Sequence, residues 1–454
     1  MRFSSLVIAL PSLALAACAA YTPRPLPERV DLPRAASAIS VDAASLPFRN
    51  LSAHVFDPAN GLDSDEVAML AVANNPQLRE MRDELGIARA QAFAAGLLPD
   101  PQLGASFDHP TNGAAGNTNG FSLNPSYDVS ALLLRSLRVG AAGANLRRVN
   151  LELLWQEWQV VGRARLLFAR LIAQQALLDQ ARAERKLLAE RYRRSHAALA
   201  EGDVSLAVAS ADLAALQQVE RRSNELERSR LQDRAALDRL LGLAAGAPLD
   251  LVGEPAPAVV DAAIDAKRVR ADLEQRLKQR PDLRALRAGY RSQEEKFRGA
   301  ILAQFPALNI GLTRARDTSG LYTVGFGLSL SLPIFNANRG NIAIAKATRR
   351  KLYDEYQDRL NSAAGEVAVA LENLPLLQAQ LRRSRRGEIE LETVAKRAEA
   401  AYLAGNMSAA DYVRLQTAAL DKRSEAIELK EALMEQRIAL EVLLGPDLPE
   451  RGKQ

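Results

Sequence analysis

The chain has 454 residues, with 59 Lys+Arg against 54 Asp+Glu and a formal net charge of +5. The charges are interspersed, which argues against a polybasic surface for nucleic acid. A single cysteine excludes an internal disulfide framework, and the three histidines (His54, His109 and His196) lie far apart without motif context. No metal site, cofactor or catalytic centre is therefore expected, and the chain reads as a non-enzyme.

At the N-terminus, Arg2 precedes an apolar run from Phe3 to Ala17. As a helix it would span about 22 Å, short of the ~30 Å hydrocarbon core of a bilayer. It reads as a secretory signal, residues 1–17, and not as a membrane span. The run ends Leu15-Ala16-Ala17-Cys18, similar to the bacterial lipobox in which the cysteine becomes the lipidated first residue. An ordinary signal cleaved near Ala-x-Ala, with an incidental cysteine, is the plainer alternative. Ala19 follows where Asp would favour retention in the inner membrane, so sorting to the outer membrane is implied.

Residues 18–60 form a Pro-rich leader, with five prolines between residues 21 and 48. Such a segment can lie along a surface but builds no core of its own. A second Pro/Ala-rich stretch, residues 251–267, divides the chain nearly in half. The halves, 61–250 and 268–446, read as copies of one unit. Pro76-Gln77-Leu78-Arg79 returns as Pro281-Asp282-Leu283-Arg284, and Pro101-Gln102-Leu103 as Pro306-Ala307-Leu308. Gly202 returns as Gly405, and Leu240-Leu241-Gly242 as Leu443-Leu444-Gly445. The unit reads as helix, strand pair, long helix, turn, helix, and residues 447–454 form a tail.

The long helices are expected over 145–199 and 341–403, rich in Ala, Leu, Arg, Glu and Gln. Pro375 should kink or divide the second. Periodicity alone fits an extended coiled coil equally well. The strands separate the two readings. Tyr322, Val324, Phe326, Leu328, Leu330 and Leu332 alternate with Thr323, Gly325, Gly327, Ser329 and Ser331, giving one apolar face and one small or hydroxylated face. That is the pattern of an outer-membrane strand, and the length fits a tilted span. A half-buried strand of a soluble sheet would alternate too. Leu308, Ile310 and Leu312 alternate likewise, as do Leu103, Ala105 and Phe107. A further strand is expected between Gly120 and Leu133. Four strands cannot close a barrel, and lipid tolerates no open edge, so partner chains are required.

The run Gly327-Leu328-Ser329-Leu330-Ser331-Leu332-Pro333-Ile334-Phe335-Asn336, then Arg339-Gly340-Asn341-Ile342 and an Ala-rich helix, resembles the TolC-type outer-membrane efflux proteins. Leu332 to Ala345 and Leu98-Pro99-Asp100-Pro101-Gln102-Leu103 are most similar to the branch serving heavy-metal cation exporters. The resemblance implies a mainly α fold with membrane β: a homotrimer whose four strands per chain build a 12-stranded barrel, continued by a helical tunnel. It implies partners as well, a periplasmic adaptor and an inner-membrane pump, with outer-membrane lipid around the barrel.

By the same resemblance, the turns Gly202-Asp203-Val204-Ser205 and Gly405-Asn406-Met407-Ser408 form the periplasmic end and meet the adaptor. In each, glycine suits a left-handed backbone and serine suits a helix cap. Tyr402 matches the family tyrosine that helps to hold the entrance shut. Asp411 matches an aspartate lining it, and threefold repetition would make a carboxylate ring; a solvated helix face is the alternative. Met407 and Arg414 stand where some members carry a bonding Arg and a second Asp, and Val208, the first-copy counterpart of Asp411, is uncharged. The function implied is a passive exit duct. A lipid-anchored periplasmic scaffold that transports nothing is the rival reading.

Overall fold

The computed structural model describes residues 21–111, 116–253 and 266–446. The signal, Cys18, most of the connector between the halves and the tail 447–454 lie outside the described residues. Eight long helices and four strands carry the architecture. In the first half these are α1 (Ser64–Asn74), α2 (Pro76–Gly96), β1 (Gln102–Asp108), β2 (Gly120–Asp128), α3 (Val129–Glu201) and α4 (Leu206–Leu240). In the second they are α5 (Ala266–Gln279), α6 (Pro281–Leu302), β3 (Ala307–Arg316), β4 (Tyr322–Ser331), α7 (Arg339–Leu403) and α8 (Ala409–Leu444). The order of elements repeats, as the matched sequence landmarks require.

Local chemistry sets the boundaries. Asp63 and Glu66 form a reciprocal capping box at the start of α1. Pro76 and Pro281 occupy the first turns of α2 and α6, where a missing N–H costs nothing. The residue before each proline performs the same task in both halves. Asn75 Nδ2 donates to the Leu240 carbonyl at 2.8 Å, and Arg280 Nη1 donates to the Leu443 carbonyl at 2.8 Å. Leu240 and Leu443 are equivalent positions, so each closing helix is pinned to the helix that begins its own unit.

At 73 and 65 residues, α3 and α7 extend about 110 Å and 98 Å. α3 starts well before the expected Asn145. Asp128 ends β2 and its carboxylate accepts from Ala131 N at 2.9 Å, so strand passes into helix with no loop between. In the second half, Leu332 to Asn338 separate β4 from α7. β4 therefore stops at Ser331, before Leu332, because Pro333 disfavours continuation and supplies no N–H. Pro375 does not divide α7. It lies on the exposed side of a continuous helix whose Leu371, Leu374 and Leu381 are buried against α8. That burial outweighs one lost backbone bond.

The largest core gathers α1, α3 and α4 around Val67, Leu70, Phe168 and Leu237. The leader contributes to it: Phe48 is buried with its ring 5.0 Å from that of Trp158, and Leu46 and Leu51 are buried beside it. The far end of the helices has a small core of its own, Leu188, Leu216, Val219 and Val413, joining α3, α4 and α8. The strands form one antiparallel sheet, ordered β1-β2-β3-β4, with β1 and β4 as edges among the described residues. No described helix is long and apolar enough to cross a membrane.

Candidate functional site

The sheet register sorts its side chains without exception by strand parity. Phe107 faces Phe121, Phe121 faces Arg316, and Arg316 faces Tyr322. Directly paired residues share a face. The next rows on that face are Ala105, Leu123, Arg314 and Val324, then Leu103, Pro125, Leu312 and Phe326, and then Tyr127, Ile310 and Leu328. Leu308 and Leu330 complete it. The other face carries Ser, Thr, Asn and Gln102 side chains among glycines and alanines, with Asp108 and Asp128 at its two ends. Every residue of β4 is exposed, and Val324 and Phe326 are 80% and 70% exposed. Apart from Arg314 and Arg316 at the hairpin end, this face is aliphatic and aromatic, and its own chain leaves much of it exposed.

From Arg316 to Leu308 the face runs about 27 Å along the strand. Tilted by ~40°, it stands about 21 Å tall, close to the ~25 Å apolar band of outer-membrane barrels. The aromatic side chains Phe107, Phe121 and Tyr322 crowd the hairpin end, and the Phe121 and Tyr322 rings meet edge-on at 6.4 Å.

At the opposite end of the molecule the two helical turns have the same backbone. Gly202 is left-handed at φ +83° and Gly405 at +75°. Asp203 N donates to the Ala198 carbonyl and Asn406 N to the Ala401 carbonyl, the six-to-one closure of a Schellman turn. The serines differ from the expected equivalence. Ser408 Oγ accepts from Asp411 N at 3.1 Å and caps α8, whereas Ser205 makes no side-chain cap on α4. Leu206 and Val208 follow Ser205, and position 208 offers no side-chain oxygen to mirror Asp411.

Tyr402, Asp411 and both turns come together here. Arg194 Nη1 donates to the Tyr402 hydroxyl at 2.7 Å, tying α3 to α7. Tyr402 stacks on Tyr412, with ring centres 4.8 Å apart and planes 8° from parallel. The Asp411 carboxylate accepts from Ser408 Oγ at 2.8 Å and from Arg414 Nη2 at 3.0 Å. Its pKa falls below the usual carboxylate range, chiefly through the Ser408 bond and then through Arg414. Asp411 is therefore an ionised but paired group. A groove of about 1150 Å³ lies between these helix ends, lined among others by Val204, Val208, Arg194, Tyr402 and Val413.

Sequence reasoning missed Arg194, because its partner lies in the other copy. It also missed Arg165, which is buried between Asp65 and Glu441 at 2.7 Å each. Neither has a motif; both are set by packing between units. The histidines are taken up locally: His54 lies 3.1 Å from Asp63, His109 lies 2.8 Å from Asn119, and His196 stacks edge-on with Tyr192. Among the described residues no cluster of His, Cys, Asp or Glu could hold a metal ion.

A duplicated shaft of helices bearing a four-stranded sheet with one mostly apolar face is the fold seen in solved outer-membrane efflux channels. Comparison with known proteins agrees. Residues 273–446 match the family model described as outer membrane efflux protein. A 179-residue segment is 27% identical to the cation efflux system protein CusC of Escherichia coli K12, covering 37% of this chain and 39% of that relative. A 142-residue segment is 28% identical to the probable outer membrane lipoprotein SilC of Salmonella typhimurium, covering 29% and 31%. The chain thus matches about two fifths of the length of CusC and under a third of that of SilC. Solved structures extend the likeness to nearly the whole fold. A crystal structure of CusC has TM-score 0.68 at 19% identity, over 92% of this chain and 99% of that one. The outer-membrane channel OprN has TM-score 0.70 at 16% identity, over 94% and 99%. The CmeC channel of Campylobacter jejuni has TM-score 0.68 at 17% identity, over 96% of both chains.

Proposed function

We propose that this chain is the passive outer-membrane exit duct of a tripartite efflux system. Three copies supply twelve strands, joining β4 of one to β1 of the next, so that the apolar face meets lipid and the small polar face lines the bore. The helices run from the barrel into the periplasm as a tunnel. The turns at Gly202–Ser205 and Gly405–Ser408 meet a periplasmic adaptor, which connects to an inner-membrane pump. Lipidation at Cys18 anchors the leader to the outer membrane. Tyr402 with Arg194, and Asp411 with Arg414, hold and charge the entrance. The cargo is a small solute or ion delivered by the pump, and similarity to a cation efflux protein favours cations.

The observation that carries this reading is the sheet: one face apolar but for Arg314 and Arg316 at its hairpin end, one face of small and polar residues, and an edge on each side. The experiment is to purify the full chain in detergent, cross-link it and add it to a planar bilayer. Trimers that conduct ions support the duct; a chain that remains monomeric in water and conducts nothing refutes it.

A further inference from the structure

The apolar face of the sheet carries two charges. Arg314 and Arg316 stand on it among phenylalanines, leucines and valine, two residues apart and so roughly 7 Å apart along β3. Both occupy the hairpin end, remote from the point where β2 passes into α3 and where α6 leads into β3. In the proposed barrel this is the end facing the outer leaflet.

Neither arginine has a carboxylate beside it on its own face. Asp108 and Asp128 belong to the opposite face by register. The Asp317 carboxylate is taken by its own turn, accepting from Ser319 N, Ser319 Oγ and Leu321 N at 2.6–2.9 Å. Arg316 lies over the Tyr322 ring at 5.4 Å. The ring thus orients the guanidinium, whose Nε is buried without a hydrogen-bond partner among the described residues. Arg314 is exposed one row deeper, between Leu123 and Val324. A charge on the lipid face is costly at mid-bilayer and tolerated near the headgroups, and a long side chain so placed extends its head towards the interface.

We propose that Arg314 and Arg316 form a binding site for the phosphate of an outer-leaflet lipid. This rests on the barrel reading above. Guanidinium matches phosphate by paired, charge-assisted hydrogen bonds. The aromatic and aliphatic neighbours Phe121, Leu312, Val324 and Phe326 receive the acyl chains below the headgroup. This apolar surround selects an amphiphile over a free anion.

The test reconstitutes the full chain in vesicles containing lipid A in either its phosphorylated or its dephosphorylated form. The lipid retained per chain after mild detergent extraction is measured, with inorganic phosphate as competitor. Wild type is expected to retain phosphorylated lipid A about tenfold better than the dephosphorylated form, and R314Q/R316Q to lose that preference. R314K/R316K should keep part of it, which separates charge from fold. Equal retention of the two lipids by wild type overturns the proposal, as does full displacement by millimolar phosphate or an unchanged preference in R314Q/R316Q. Conductance is recorded on the same vesicles. A conducting channel without lipid preference sinks the arginine site alone, whereas a chain that never inserts sinks the barrel reading and the site with it.

Discussion

Arg194 and Tyr402 join the two halves of the chain at the end farthest from the sheet, Nη1 to hydroxyl at 2.7 Å. Arg194 is exposed and Tyr402 half-buried near a helix end, so the contact is a tie of modest strength and not part of a core. Tyr402 keeps its stack on Tyr412 whether or not the hydroxyl is present. Tyr402→Phe should therefore loosen α7 from α3 without unfolding either, and raise single-channel conductance or open probability several-fold in a planar bilayer. Arg194→Gln should act in the same direction, and the double variant should add little to either single one.

Asp411 and Arg414 offset each other, so in the proposed duct this end would carry paired charges in place of a bare carboxylate ring. Arg414→Ala should expose the carboxylates and strengthen block by divalent cations. Asp411→Ala should leave Arg414 unopposed and weaken that block. Current recordings with added divalent cation on the two variants check the opposite signs.

Glu431 introduces a pH dependence on the shaft. Burial, then Glu435, push its carboxyl up from 4.5 to about 7, with Arg170 opposing and Asp233 and Glu428 adding to the rise. The folded chain then holds a proton between about pH 4.5 and 7 that the unfolded chain has released. Stability falls as pH rises through that window. Glu431→Gln should flatten the slope and raise the melting temperature at pH 8 more than at pH 5, as thermal unfolding at the two pH values will show.

Arg280 is a stability determinant. Its side chain is fully buried, bonded to Asp282 at 2.8 Å and to the Leu443 carbonyl, and it lies over the Trp155 ring at 4.8 Å. Burial raises the pKa of Asp282, but Arg280 and Arg359 outweigh it and hold the carboxyl low. Arg280→Ala leaves a buried carboxylate with Arg359 alone and should cost about 3–5 kcal/mol. Denaturant unfolding measures it. Asn75→Ala, which breaks the equivalent contact in the first half without stranding a charge, should cost only ~1–2 kcal/mol.

On the sheet, Phe326→Arg places a charge at mid-height of the apolar face and should cost about 2–4 kcal/mol of folding into vesicles. Ser329→Arg, on the polar face, should fold normally and alter conductance instead. Urea titration in lipid separates the two.

The duplicated plan, the turns and the strand alternation were legible because each depends on local pattern: glycine for a left-handed bend, parity for a strand face, proline for a helix start. What escaped was decided between elements. The start of α3 was hidden because Asp128 belongs to a strand by pairing and to a helix by its cap. Pro375 looked like a break because burial of Leu371 and Leu374 against α8 cannot be read from one helix. Ser205 and Ser408 are equivalent in sequence, yet only Ser408 caps, and it shares Asp411 as partner. Arg194 had no signal because Tyr402 lies in the other copy.

The central claim is that the β4 face sits in lipid. It is tested most directly by single-cysteine labelling at each position from Tyr322 to Ser331 in reconstituted vesicles, with a fluorophore read against lipid-soluble and water-soluble quenchers. The account requires a period of two: lipid quenching at 322, 324, 326, 328 and 330, and aqueous quenching at the positions between. Aqueous quenching at every position, or lipid quenching without alternation, would contradict it.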